Sequence, residues 1–254
     1  MIDLIVFSVG TNKYAVDIEN VQRIIQSTVL TVIPNAHEYI DGMMSYEDKV
    51  IKVVNFRKLI TLDPYDSELR TLFVRLKDTH KEWLGALKNS LETGMDFKET
   101  LNPHACELGK WIDSFTAYDD SVVLVLNELL DYHKQLHVLG ATALDIYAKN
   151  PTEALDFLNK DVMTAYRNTM GALDTFVLEL DLVANSLQKL IIYDKNSEIF
   201  AVKVDTIEDI AHVEESQFIN TSEEHSVNNF LELSGVLDLD GVLINVIKTV
   251  KQPS

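Results

Sequence analysis

The chain has 254 residues, 46% of them apolar, which is enough to build folded cores and too many for a disordered segment. Its 22 basic residues face 40 acidic ones, a net charge of −18, and that sign is wrong for neutralising phosphates, which makes nucleic acid and anionic membrane surfaces poor candidates for partners. The single cysteine, Cys106, cannot close an intramolecular disulfide, so stability must come from packing, a bound metal or both, as suits a reducing compartment.

Residues 1 to 60 read as strands. Short runs rich in Val, Ile and Tyr (Leu4 to Val9, Tyr14 to Ile18, Val50 to Phe56) are separated by turn residues, Gly10-Thr11-Asn12 and Asp41-Gly42. The segment Met1 to Val6 carries no basic region ahead of its apolar residues, and no later stretch is long and apolar enough to span a bilayer, so the expectation is a cytoplasmic chain.

From about residue 69 the period becomes that of helices. Phe73, Leu76, His80, Trp83 or Leu84, Leu87 and Leu91 fall at steps of three and four, with Gly94 placed to terminate the helix. A short helix is expected to start at Asn102-Pro103 and to carry Cys106 in its first turn, where the dipole favours a thiolate. Val122, Leu126, Leu130, His133, His137, Gly140 and Leu144 form the next stripe. Asn150-Pro151-Thr152-Glu153 then gives an N-cap, a proline at the first helical position and an acid three residues after the cap. The stripe that follows runs from Leu155 to Val183. Strand-like runs return at Leu190 to Tyr193, Phe200 to Val204, Gly235 to Leu239 and Val242 to Val246. An antiparallel helical bundle is therefore expected between two β-type segments.

Two histidines four apart on a helix differ by about 40° around the axis and about 6 Å along it, so His133 and His137 can converge on one ion. His80 faces the same core from the first long helix. Each alone reads as a core histidine with its own hydrogen-bond partner. Together with the only thiol, the three imidazoles need several separate polar partners, or one zinc that satisfies them all. His104, two residues before Cys106, would point about 200° away on a helix and is expected to pack or cap. Trp83 and Trp111 read as core or lid residues around the site, with ordinary bundle packing the stronger reading, and His37, His212 and His225 as exposed loop residues.

His80-Lys81-Glu82-Trp83, His104-Ala105-Cys106-Glu107-Leu108-Gly109-Lys110-Trp111 and His133-Lys134-Gln135-Leu136-His137 resemble, in matching order, the motifs of the chemoreceptor zinc-binding (CZB) domain. The resemblance implies a helical bundle holding Zn2+ through His80, Cys106, His133 and His137. A shell of four protein ligands has no open position for water or substrate, so no catalysis is expected there.

The flanking segments resemble a CheW-like chemotaxis coupling domain. Phe7-x-Val9-Gly10, Tyr14-Ala15-Val16-x-Ile18, Val21-x-x-Ile24, Ile33-Pro34-Asn35-Ala36-x-x-Tyr39-Ile40-x-Gly42 and Val50-Ile51-x-Val53-Val54-Asn55-Phe56-Arg57 carry its first half. Phe200-Ala201-Val202-x-Val204-Asp205-x-Ile207 and Gly235 to Ile244 carry its second. The implied fold is α+β, a CheW-like pair of small five-stranded β-barrels interrupted by the bundle: 1–68 first half, 69–187 zinc-binding bundle, 188–254 second half. The implied role is a non-enzymatic adaptor between chemoreceptors and a CheA-type histidine kinase, sensing zinc or an oxidant through Cys106. The other reading is an array scaffold whose zinc is purely structural. Related bundles often pair, which adds a homodimer through the bundle to the expectations. One departure stands out: where the family commonly has Arg-Gly, this chain reads Gly42-Met43-Met44-Ser45-Tyr46-Glu47-Asp48-Lys49.

Overall fold

The computed structural model describes residues 2–195, 198–214, 217–219 and 225–253. Two units emerge, a β unit of Met1–Tyr65 with Ala184–Ser254 and a helical unit of Asp66–Val183. No helix among the described residues is long and apolar enough to cross a membrane.

The β unit contains β1 (Ile2–Val9), β2 (Asn12–Asp17), β3 (Val21–Gln26), β4 (Ile40–Tyr46), β5 (Lys49–Asn55) and the short helix α1 (Phe56–Leu59) before the helical unit. After it come β6 (Lys189–Lys195), β7 (Glu198–Val204), β8 (Thr206–Val213), β9 (Phe218–Ile219), β10 (His225–Asn228), β11 (Leu231–Leu239) and β12 (Val242–Val250). A seven-stranded sheet runs β10-β11-β12-β2-β1-β8 with β9 on β11, and a five-stranded sheet runs β3-β6-β7-β5-β4. The resemblance implied two barrels of five strands each; here β9 and β10 bring one sheet to seven. Strands from the two sides of the helical segment interleave. β8 pairs with β1, β12 lies parallel to β2, β6 pairs with β3 and β7 lies parallel to β5. Neither flank forms a sheet alone.

Continuous apolar runs make this arrangement possible, because successive residues of a strand point to opposite faces. Ile5, Phe7 and Val9 of β1 join Tyr193, Phe200 and Val202 in the main core, fed by both sheets. Leu4 and Val6 turn the other way, onto Leu237 and Ile244. In β6 the split repeats, with Ile191 and Tyr193 in the main core and Leu190 and Ile192 in a third cluster with Val53 and Ala201. Asp240 (φ 53) and Gly241 (φ 83) make the two-residue turn between β11 and β12, the geometry that Asp-Gly favours.

Asp41-Gly42, expected as a turn, lies inside β4. Gly42 sits at a register shift, and a Cβ there would come within 2.6 Å of the Thr31 carbonyl oxygen. The turn is Glu47-Asp48, between paired Tyr46 and Lys49.

The helical unit holds α2 (Tyr65–Thr93), α3 (Glu107–Ser114), α4 (Asp120–Tyr147), α5 (Pro151–Phe157), a π-helical turn Leu158–Val162, α6 (Met163–Leu178) and α7 (Leu180–Leu187), which leads back to the β unit. The expected stripe of α2 is buried at Phe73, Leu76, His80, Trp83, Leu87 and Leu91, Leu69 extends it by one position, and Gly94 follows the helix at φ 75. Asn150 caps α5, accepting from the Glu153 amide. The single helix expected over Leu155 to Val183 is broken twice, by the π-helical turn and at Glu179.

Candidate metal centre

The helix expected from Asn102-Pro103 begins instead at Glu107. Asn102 Oδ1 accepts from the His104 amide at 3.0 Å, an Asx turn that spends the capping residue before the helix starts. Cys106 is the N-cap itself, its sulfur accepting from the Gly109 amide at 3.2 Å. Glycine is required at 109. A Cβ there would lie 1.7 Å from the Pro103 carbonyl oxygen, so only a bare Cα lets the Pro103-His104 backbone fold over the first turn of α3.

Three helical elements thus bring four side chains together. His80 from the middle of α2, Cys106 at the head of α3, and His133 and His137 one turn apart on α4 offer ligand atoms that all lie within 4.8 Å of one another. Cys106 Sγ is 3.1 Å from His133 Nε2 and 3.8 Å from His80 Nε2. A tetrahedral zinc shell with ligand bonds of about 2.0–2.3 Å has ligand-to-ligand edges of about 3.3–3.6 Å, so these spacings bracket it. His80 Nδ1 is 2.8 Å from the Leu76 carbonyl, and donation to it fixes the tautomer that leaves Nε2 a bare lone pair facing the sulfur.

His137 is the most telling member. It is fully buried, and neither ring nitrogen has a hydrogen-bond partner. The Thr100 and Leu101 backbones favour its charged form from a distance without reaching bonding geometry. A buried imidazole with two unmatched nitrogens is costly as a core residue and apt as a ligand. Electrostatics agree. Burial, aided by repulsion from the neighbouring rings, pushes His133 down to about 3 and His137 down to about 4. His80 is lowered too, burial outweighing the Leu76 carbonyl. Burial raises the Cys106 thiol against the pull of the Gly109 amide. Without a cation the cluster is a set of neutral donors, suited to a dication and poor at holding protons.

Trp83 roofs the cluster. Its ring centroid lies 5.0 Å from that of His137, and its indole N–H donates to the Thr100 carbonyl at 2.8 Å. Gly140 makes room, since a Cβ there would meet the indole at 2.4 Å. Trp111 packs away from the cluster among Phe73, Phe115 and Phe176, the bundle role expected of it.

His104 stands outside the cluster. It is exposed and paired with Asp113 at 3.0 Å, not packed or capping, because the Asx turn rather than a helix carries it. His37 is not a free loop residue either: it is half-buried and packs on Tyr39 and Phe230. His212 lies in β8, exposed and paired with Asp3. The His225 side chain lies outside the described residues, although its backbone begins β10. Gly109 and Gly140 make room at the site, and neither role was read from the sequence, where Gly140 appeared only as a member of the stripe. The signal for Gly109 was its place three residues after the thiol.

A chemotaxis protein CheW from Thermotoga maritima is 22% identical over 83 residues, 32% of this chain and 55% of that protein, so the match spans about half the length of that curated relative. Among solved structures, the scaffolding protein TtCheW from Thermoanaerobacter tengcongensis is similar with a TM-score of 0.46 and 12% identity, over 98% of this chain and 90% of that one. The regulatory CZB domain of DgcZ is similar with a TM-score of 0.39 and 16% identity, over 45% of this chain and 98% of that one. The family model for the CheW-like domain matches residues 3–130, running from β1 into α4. With half of the chain under that model, the protein belongs to the CheW-like domain family, and its β unit is interrupted by a helical bundle that carries the histidine–cysteine cluster.

Proposed function

We propose that the protein is a cytoplasmic chemotaxis adaptor that couples chemoreceptors to a CheA-type histidine kinase through its β unit, and that its helical unit senses zinc or an oxidant. Membership of the CheW-like family supports the first part. The observation that carries the second is the convergence of His80, Cys106, His133 and His137 around one point, with His137 buried and unmatched at both nitrogens. The residues fit zinc: three imidazoles and one thiolate are a recognised tetrahedral set. His80 would bind through Nε2, with Leu76 orienting its ring, and Gly109 would hold the sulfur. Bound there, zinc supplies a cross-link between α2, α3 and α4 and favours the thiolate, with folding free energy on the order of 10 kcal/mol.

Cys106 is the chemical input in this reading. It is half-buried and the chain's only thiol. Hypochlorite would oxidise its sulfur by two electrons to the sulfenic acid, being itself reduced to chloride, and the oxidised sulfur is a weaker ligand. No catalytic step belongs to the protein in this account, because four protein ligands complete the shell.

Metal analysis of the purified protein beside His80→Ala, Cys106→Ala and His137→Ala is the direct test. One zinc per chain in wild type and substoichiometric zinc in each variant is expected; equal zinc in all four would sink the site. Hypochlorite titration of the loaded protein should then release zinc and change kinase coupling in the same range. The closed character of the shell favours a second reading, a scaffold with purely structural zinc. Cys106→Ser separates them, since a scaffold would lose melting temperature while its signalling response stayed unchanged.

A further inference from the structure

Within the β unit Arg57 is sunk to 1% exposure. Its Nε donates to both carboxylate oxygens of Asp205 at 2.8 and 3.0 Å, and Nη2 donates to Oδ2 at 2.6 Å. Nη1 donates to the Asp63 carbonyl at 2.9 Å, and the guanidinium lies 4.7 Å from the Tyr65 ring centroid. Asp205 also accepts from the Gln188 side-chain amide at 3.0 Å and from the Gly10 backbone N–H at 2.8 Å.

These partners have a common feature along the chain. Asp63 and Tyr65 are the last stretch before the polypeptide leaves the β unit, and Gln188 follows its return at Ala184. Asp205 is the one residue between β7 of the five-stranded sheet and β8 of the seven-stranded sheet. Gly10 belongs to the β1–β2 turn. The returning segment is held further by Gln26 and Ser27: the Gln26 amide donates to the Asn185 and Gln188 carbonyls at 2.5 and 2.8 Å, and the Ser27 amide to Gln188 at 3.1 Å.

A buried ion pair is a poor way to gain stability, because desolvation cancels much of its attraction. What it provides is strict geometry. One carboxylate is shared by donors from β1–β2, α1 and the returning segment, and the guanidinium it binds also holds the departing segment. Withdrawing one donor leaves charge buried and under-coordinated, so the group responds by switching partners and not by yielding gradually.

We propose that the Arg57–Asp205–Gln188 network is a relay: a change in the helical unit reaches it through the two covalent crossings and alters how the two sheets are joined at Asp205. Its stimulus rests on the zinc reading above; its existence does not. By linkage the coupling runs both ways.

Hydrogen exchange read by mass spectrometry on the full-length chain tests this. Leu173→Ala, at a fully buried position of α6, loosens the helical unit whether or not zinc binds. Exchange at residues 57–63, 188–190 and 203–207 should then rise by about threefold or more over wild type. Adding Gln188→Met, a near-isosteric loss of the amide, should cut the rise at 203–207 by about half or more while leaving that in the helices. If Leu173→Ala does not fold, Leu173→Val takes its place. An excess confined to the helices, or one at 203–207 indifferent to Gln188→Met, overturns the relay. Zinc added to wild type should slow exchange at both places. No slowing in the helices would remove zinc as the stimulus, and the Leu173 variants would still decide the relay.

Discussion

His137 makes a sharp distinction possible. As a core residue it is a liability, with two unmatched nitrogens out of reach of solvent; as a ligand it is an asset. His137→Leu should therefore stabilise the metal-free protein by about 1–2 kcal/mol in urea denaturation, because it removes unsatisfied polar atoms at similar volume. The same variant should lose at least about tenfold in zinc affinity by competition with a chelating dye. A histidine that merely fills the core would show the first change without the second. Gly109 governs the thiol in a different way: Gly109→Ala drives a methyl into the Pro103 carbonyl, and the turn carrying Cys106 must move. A cost of about 1–3 kcal/mol with weakened zinc binding is expected, from thermal melts with and without metal.

At the scale of elements, capping is the most local determinant. Asn150→Ala removes the acceptor for the Glu153 amide and should cost about 1 kcal/mol by chemical denaturation, with no change in metal content, since the cap is remote in sequence from all four cluster residues. The long helices were legible because a 3.6-residue period places apolar residues and His80, His133 and His137 on one stripe; in α2 that stripe is what becomes buried, whereas in α4 the buried face runs through Val122, Leu129, His133, Leu136, His137, Gly140 and Ala143, and Leu130, expected on it, is exposed. The start of α3 was misread for a physical reason: asparagine before proline signals a helix start and an Asx turn equally well, and here it is the turn. Strands β3 and β8 carried no usable pattern. They are sheet edges, their exposed Gln22, Arg23, Glu208 and Asp209 breaking the alternation expected of half-buried strands. The π-helical turn at Leu158–Val162 left no trace either, because one added residue keeps the apolar stripe facing the core. Residue types and the His133–His137 spacing offered the cluster beside the core-histidine reading, and the resemblance singled out its four members, whereas the partners that shape it, Leu76, Pro103 and Gly140, act through backbone and empty space that sequence does not display.

For the molecule as a whole, the interleaved strand order predicts that the helical unit is an insertion the β unit does not need for folding. Arg57 touches both Asp63 and Asp205, and Asp205 touches Gln188, so the two crossings start close together. Replacing Asp66–Val183 with a flexible Gly/Ser linker of about six residues should give a folded, cooperatively melting β protein, observable by circular dichroism. Loss of structure in that chimera would mean that the helices are part of the β fold.

That strand order also has a consequence during synthesis. β1 to β5 leave the ribosome first, yet β3 and β5 meet their neighbours β6 and β7 only after the roughly 120 residues of Asp66–Val183 have been translated, a delay of about 6–24 s at elongation rates of about 5–20 residues per second. Throughout that interval the helical unit can complete itself while five nascent strands wait with open edges, which makes this half of the polypeptide the natural client of a chaperone.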